Sequence, residues 1–204
     1  MARRPRVQFP GALYHVCSRG DRQEPIFEAD GDRYMFMDLL GEAAAKYELL
    51  VLAYCLMGNH YHLVMQTRQG NLSESMRFIN GVYTQRYNRR HTTCGHVFQG
   101  RFNANLIGRD EYMIEACRYV ELNPVRAKLV RDPHEWEWSS YRAHVGMDTC
   151  PPWLAYTLSD EEKQLAAAHS LAKGGMGTAF LSILLYAAVI GLILWLNLTG
   201  PDAA

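Results

Sequence analysis

The stretch Leu56-Met57-Gly58-Asn59-His60-Tyr61-His62-Leu63-Val64-Met65 carries two histidines two residues apart among apolar neighbours. In a strand, alternate side chains point to one face, so His60 and His62 look the same way. Two imidazoles on one face can hold one divalent metal, and a third ligand must then come from another element. Farther along, Tyr119 and Asn123 are four residues apart, which places them on one face of a helix. A phenol and a carboxamide there could meet the histidines as nucleophile and third ligand. Such a set suits phosphodiester cleavage, where a metal stabilises charge on the phosphate oxygens and orients the scissile bond. A phenol with a pKa of about 10 is a poor nucleophile until a metal or base assists it. A tyrosyl–phosphate ester conserves the bond energy, so a cut strand can be rejoined rather than hydrolysed. Imidazole and carboxamide oxygen, topped up by phosphate and water, suit Mg2+ or Mn2+. Each part alone is unspecific: an HxH pair is more often structural, and a lone helical tyrosine is more often core or rim. His15, His91, His96, His134, His144 and His169 have no useful partner spacing and read as structural or surface residues.

The elements that must position these groups follow from periodicity. Residues 1–11 form a basic, Pro-containing opening segment, and 12–17 are β-prone up to the turn Arg19-Gly20-Asp21. Residues 29–46 predict an amphipathic helix capped by Asp30 or Asp32, with Tyr34, Met37, Leu40, Ala44 and Tyr47 as its stripe. Residues 48–57 and 60–66 predict a hairpin through Gly58-Asn59, so the histidines open its returning strand. A second helix spans 71–88, capped by Asn71 or Ser73, with Met76, Ile79, Val82, Tyr83 and Tyr87 as its stripe. A polar loop covers 89–100, and a fourth strand covers 102–107. Asp110 caps a third helix from Glu111 to about Leu122, which Pro124 ends. Residues 124–146 read as irregular, with Trp136, Trp138 and Tyr141 packed back on the domain. The order β-α-β-β-α-β-α predicts an α+β fold, an antiparallel sheet flanked by helices.

Charge distribution suggests a substrate. The 204-residue chain has 21 basic and 21 acidic residues, so net charge is silent about partners. Yet residues 77–109 contain Arg77, Arg86, Arg89, Arg90, Arg101 and Arg109 and no acid, which suits a polyanion. Tyr83, Tyr87, Phe98 and Phe102 are interleaved with them and could stack unpaired bases. The five cysteines at 17, 55, 94, 117 and 150 form no CxxC, which fits reduced thiols in a cytoplasmic domain and argues against a zinc finger, since no Cys pair has ligand spacing. Residues 147–178 read as a linker with one short polar helix, 159–172. The uncharged segment 179–198 is long enough to cross a bilayer as a C-terminal hydrophobic helix. Trp195 lies near its end as a belt aromatic, and Lys163 and Lys173 precede it, which keeps the catalytic domain cytoplasmic and anchored to the inner membrane.

Four blocks in order give the chain a family resemblance: Gly58-Asn59-His60-Tyr61-His62-Leu63-Val64, Tyr87-Asn88-Arg89-Arg90-His91 with Gly95 to Phe102, Arg118 to Ala127, and Trp138-Ser139-Ser140-Tyr141. Together they resemble the REP-associated tyrosine transposases, single-tyrosine HUH endonucleases, over residues 8–146. The resemblance implies a ferredoxin-like HUH domain over 1–146 and a transposase that cleaves and rejoins single-stranded hairpin DNA. By the same resemblance His60, His62 and Asn123 are the metal ligands, with Asn123 where some relatives carry Gln. Tyr119 forms a 5′-phosphotyrosine and frees a 3′-hydroxyl. Relatives act as monomers or homodimers. Arg77, Arg86, Arg89, Arg90, Arg101, Tyr87 and Phe98 are the expected DNA contacts. Gly58 stands where the family commonly has Pro, which would loosen the turn before the histidines. The competing readings are a catalytically inactive nucleic-acid-binding module and a membrane-tethered interaction protein.

Overall fold

The computed structural model describes residues 6–108 and 111–155. Arg109, Asp110, the polar helix 159–172 and the apolar segment 179–198 lie outside the described residues. Among the described residues no helix is long and apolar enough to cross a membrane.

Four strands, β1 (Ala12–Arg19), β2 (Leu49–Leu56), β3 (His60–Thr67) and β4 (Asn103–Ile107), form one antiparallel sheet in the order β2-β3-β1-β4. Helix α1 (Asp30–Tyr47) joins β1 to β2, and α2 (Leu72–His91) joins β3 to β4. This is the split β-α-β arrangement of ferredoxin-like folds. Each crossover helix returns the chain so that β3 lies between β1 and β2, and the histidine strand is therefore central.

Alternation decides which face of β3 holds the chemistry. Tyr61, Leu63 and Met65 are completely buried with Tyr14 and Val16 of β1 beneath α1 and α2. His60, His62 and Val64 point the other way. There Leu13, Val64, Ala53, Cys55 and Met57 meet Cys117 and Val120 of α3 (Glu111–Glu121) in a second, smaller core. Met113, Ala116, Cys117 and Val120 recur at helical spacing, which is why α3 lies with this side on the sheet. A bulge between Val51 and Ala53 turns both Leu52 and Ala53 toward α3, widening the apolar platform.

Several details differ from the pattern reading. The buried stripe of α1 is Phe36, Leu39, Leu40 and Ala43, while Tyr34 is exposed beside Trp138. Helix α1 is apolar on several faces, so spacing alone does not single one out. Its N-cap is Ala29, and the fully buried Asp32 at N3 accepts from the backbone N–H groups of Glu28 and Ala29. Asn71 is the N-cap of α2 but makes no side-chain capping bond, and the helix runs on to His91. Pro124 does not end the helical path: after Glu121 it continues as the single turn α4 (Asn123–Arg126), because proline is accepted in a first turn. A further short helix, α5 (Tyr141–His144), follows a 3-10 turn over Pro133–Glu135. Residues 150–155, expected in the linker, pack on the outer edge of the sheet: Leu154 is buried and the Ala155 N–H donates to the Val51 carbonyl at 2.8 Å.

Candidate active site

The register of β1 on β3 creates the site. Cys17 lies opposite His62 and His15 opposite Val64, so His15 is the diagonal neighbour of His62 on the same face. His15 Nε2 and His62 Nδ1 are 3.0 Å apart, with the rings stacked at 5.1 Å and 23°. His60 and His62 have their ring centroids 5.1 Å apart, edge to face. Tyr119 of α3 closes the group, edge-on to His15 at 5.6 Å and to His62 at 6.3 Å between centroids. Its side of α3 flanks the buried stripe rather than belonging to it, so Tyr119 keeps 41 % of its surface exposed.

Burial lowers the pKa of all three imidazoles. His62 is pulled down to about 3, by desolvation first and then by His15 and His60. Desolvation lowers His60, with Arg19 adding to it, and desolvation lowers His15. At neutral pH the site therefore presents lone pairs rather than imidazolium charge, as metal ligands or proton acceptors must.

Two cavities meet these residues. One, of about 300 Å³, is lined by His60, His62, Cys17, Arg19, Gln99 and Arg101. The other, of about 920 Å³, lies between β4 and α3 and is lined by His15, Tyr119, Tyr112, Asn105, Arg118 and Arg126 among others. The Arg126 guanidinium sits over the Tyr119 ring at 4.6 Å. Arginines thus line both cavities, and Tyr119 lines the one between β4 and α3, together with Glu115.

Asn123 occupies the turn after α3. Its Nδ2 donates to the carbonyls of Tyr119 at 3.0 Å and Val120 at 3.2 Å, which leaves Oδ1 as the atom a cation could use. Among the described residues no hydrogen bond or ring contact joins Asn123 to His60 or His62, and no group of three His, Cys, Asp or Glu side chains is arranged to hold a metal. Two neutral imidazoles and one carboxamide oxygen are nevertheless chemically suited to a divalent ion that completes its shell with phosphate and water oxygens.

The expected DNA contacts divide. Arg101 reaches the histidine cavity. Arg77, Arg86, Arg89 and Arg90 sit on α2, in the helix layer over the Tyr61 face. There Arg86 is held bidentately by Glu42 at 2.9 Å, and Arg90 lies 3.2 Å from the Asp32 carboxylate. Tyr87 and Phe98 are core residues with 7 % and 6 % exposure, so neither face is open for a base to stack on. Tyr87 donates to Glu28 at 2.5 Å, and Phe98 packs on Tyr61 and Tyr83. The role of Phe98 is to anchor the loop whose Gln99 N–H donates to the Arg19 carbonyl at 2.9 Å, which brings Arg101 to the site. Tyr87 thus serves the stripe that helical spacing gave α2, and Phe98 reaches the same core from the loop after it, so neither is a stacking surface.

Gly58 does not loosen the turn. Its carbonyl accepts from Ile26 N at 3.0 Å and Phe27 N at 3.2 Å, and the neighbouring Asn59 carbonyl accepts from Gly20 N at 2.8 Å. The brace comes from the 20–27 segment, which local sequence cannot reveal. Spacing also missed His15, Arg19, Asn59 and Arg126. The one local signal for His15 was a polar residue alternating with apolar ones in Leu13-Tyr14-His15-Val16.

Residues 9–123 match the family described as IS200-like transposases. The chain belongs to the IS200-like transposase family. A protein of Haemophilus influenzae named as a REP-associated tyrosine transposase is 23 % identical over 127 residues, covering 57 % of this chain and 72 % of that protein. A solved structure of a REP-associated tyrosine transposase bound to a REP hairpin superposes with a TM-score of 0.61 at 16 % identity, covering 78 % of this chain and 94 % of that one. The chain therefore shares the fold of that solved structure.

Proposed function

We propose that this transposase binds single-stranded, hairpin-forming DNA and cleaves and rejoins it through Tyr119. The observation that carries the reading is the half-exposed Tyr119 ring seated edge-on to His62 and His15 at the mouth of the β4–α3 cavity. The hairpin held by the structural relative supports the choice of substrate. In this scheme the Tyr119 phenol oxygen attacks the scissile phosphorus. The bond from phosphorus to the 3′ oxygen breaks, a 5′-phosphotyrosine forms, and the leaving oxygen takes up a proton to become a 3′-hydroxyl. The phenolic proton passes to a nearby base. Rejoining is the reverse: a 3′-hydroxyl attacks the ester and Tyr119 leaves.

His60, His62 and Asn123 would hold the Mg2+ or Mn2+ ion. Bound there, the ion supplies charge stabilisation on the phosphate and orientation of the scissile bond. Arg19 and Arg101 on one side, and Arg118 and Arg126 on the other, supply positive charge for the backbone on either side of the cut. The test is covalent capture: full-length protein with single-stranded hairpin DNA and Mg2+ or Mn2+ is expected to give an adduct that survives denaturation. Tyr119→Phe is expected to abolish it. An adduct of equal yield from Tyr119→Phe would show another nucleophile, and no adduct across varied hairpins would overturn the catalytic reading.

A further inference from the structure

We infer that Asn59 is a positioning residue that fixes His60 with its proton on Nδ1 and its lone pair on Nε2. Asn59 Nδ2 lies 3.0 Å from the Gln23 carbonyl oxygen. A backbone carbonyl can only accept, so the end of the carboxamide facing it is the NH2 group, and a flipped amide is excluded. The other end, Oδ1, faces His60 Nδ1 at 2.7 Å. Two acceptors do not sit at that distance, so Nδ1 bears the proton and donates it. In a neutral ring the remaining lone pair is then on Nε2.

The partner of Asn59 is itself held by an unusual backbone. Arg22 and Gln23 are consecutive non-glycine residues with φ of 51° and 65°, a region that costs L-residues energy. The turn survives because the Gln23 N–H donates to the Gly20 carbonyl at 3.1 Å, while Gly20 N donates to the Asn59 carbonyl at 2.8 Å. Asn59 is thus gripped by backbone on one side and aims its oxygen at His60 on the other. The 20–24 turn thereby presents the Gln23 carbonyl to Asn59. The consequence for a cation rests on the proposed metal reading: Nε2 of His60 is the atom it would take, already deprotonated and oriented.

The test uses the full-length chain labelled with 15N-histidine, without metal or DNA, in a long-range proton–nitrogen NMR experiment that reads each imidazole tautomer. Wild-type His60 is expected as the Nδ1–H form. Asn59→Leu is expected to release it to a mixture. Asn59→Asp keeps an acceptor for Nδ1 but loses the NH2 donated to the Gln23 carbonyl, so it should lose the hold on the turn while keeping the Nδ1–H form. Gln23→Gly preserves the carbonyl and removes the unfavourable φ, so it should also retain it. Mn2+ titration of the same proteins by electron paramagnetic resonance should show Asn59→Leu binding about 10–100-fold more weakly than wild type. An Nε2–H form in the wild type, which needs no variant to fold, overturns the inference, as does an unchanged tautomer in folded Asn59→Leu. A fixed Nδ1–H form in a chain that binds no Mn2+ and forms no DNA adduct would support Asn59 as positioning residue and count against the metal reading instead.

Discussion

Glu121 sits two residues beyond the proposed nucleophile, and removing its carboxylate tests how α3 is held. The side chain is 1 % exposed, and its Oε1 receives the Ser140 hydroxyl at 2.6 Å and meets His144 Nδ1 at 2.5 Å. Ser140 also ties down the end of β2, accepting from Tyr54 N at 3.1 Å while its own N–H donates to the Tyr54 carbonyl at 3.0 Å. The cluster therefore joins the C-terminal end of α3 to α5 and to the sheet. Deleting the carboxylate takes this buried partner from both Ser140 and His144, which costs about 1–3 kcal/mol for each group left unsatisfied in the interior. For a chain of this size that corresponds to a fall in the melting midpoint of roughly 10 °C. Glu121→Leu is the perturbation, and thermal unfolding followed by circular dichroism is the measurement. Glu121→Gln keeps an acceptor for Ser140 and should cost about 1–2 kcal/mol. A second readout is adduct formation well below the melting midpoint: a loosened α3 should reduce the rate at Tyr119 while hairpin affinity stays the same. A melting midpoint within about 2 °C of wild type for Glu121→Leu would refute the claim that this cluster fastens the helix.

Other expectations follow from the same geometry. The depressed pKa values of His62, His60 and His15 mean that the unfolded chain binds more protons than the folded one below about pH 6.5, the ordinary value for histidine. Their contribution to stability is thus complete above that pH and declines as pH falls toward about 3, where His62 titrates, which melting curves across this range will show. Arg101→Ala and Arg126→Ala should each lower the salt dependence of hairpin binding by about one unit of slope, measured by fluorescence anisotropy. Arg86→Ala, whose guanidinium is already engaged by Glu42, should leave that slope unchanged. Phe98→Ala should destabilise the fold by about 3–5 kcal/mol in denaturant unfolding, as for a core phenylalanine, whereas a surface stacking residue would cost little. Gly58→Ala meets no atom within 4 Å and should be neutral or slightly stabilising in the same assay.

The sequence by itself determined the strand and helix order and the face shared by His60 and His62. These depend on periods of two and 3.6 residues, which are local properties of the backbone. The ordered blocks around them were specific enough to carry the family. The pairing of Tyr119 with Asn123 on one helix is different, since α3 ends at Glu121 and Asn123 opens the separate turn α4. What only the tertiary structure decided is where separate elements meet. The β1–β3 register brings His15 to His62, and no local pattern encodes a register between strands separated by two other elements. The apolar side of α3, pressed on a platform widened by a bulge in β2, sets Tyr119 beside both rings. The same limit explains the arginines. Their clustering along the chain was legible, but α2 carries four of them to the opposite layer and α1 neutralises two with its acids. Of the clustered arginines Arg101 does reach the site, where Arg19, Arg118 and Arg126 join it from separate segments. The histidine hairpin is likewise firm for a reason outside itself: the strained turn at Arg22-Gln23 and the N–H groups of Gly20, Ile26 and Phe27 hold it from across the sheet edge.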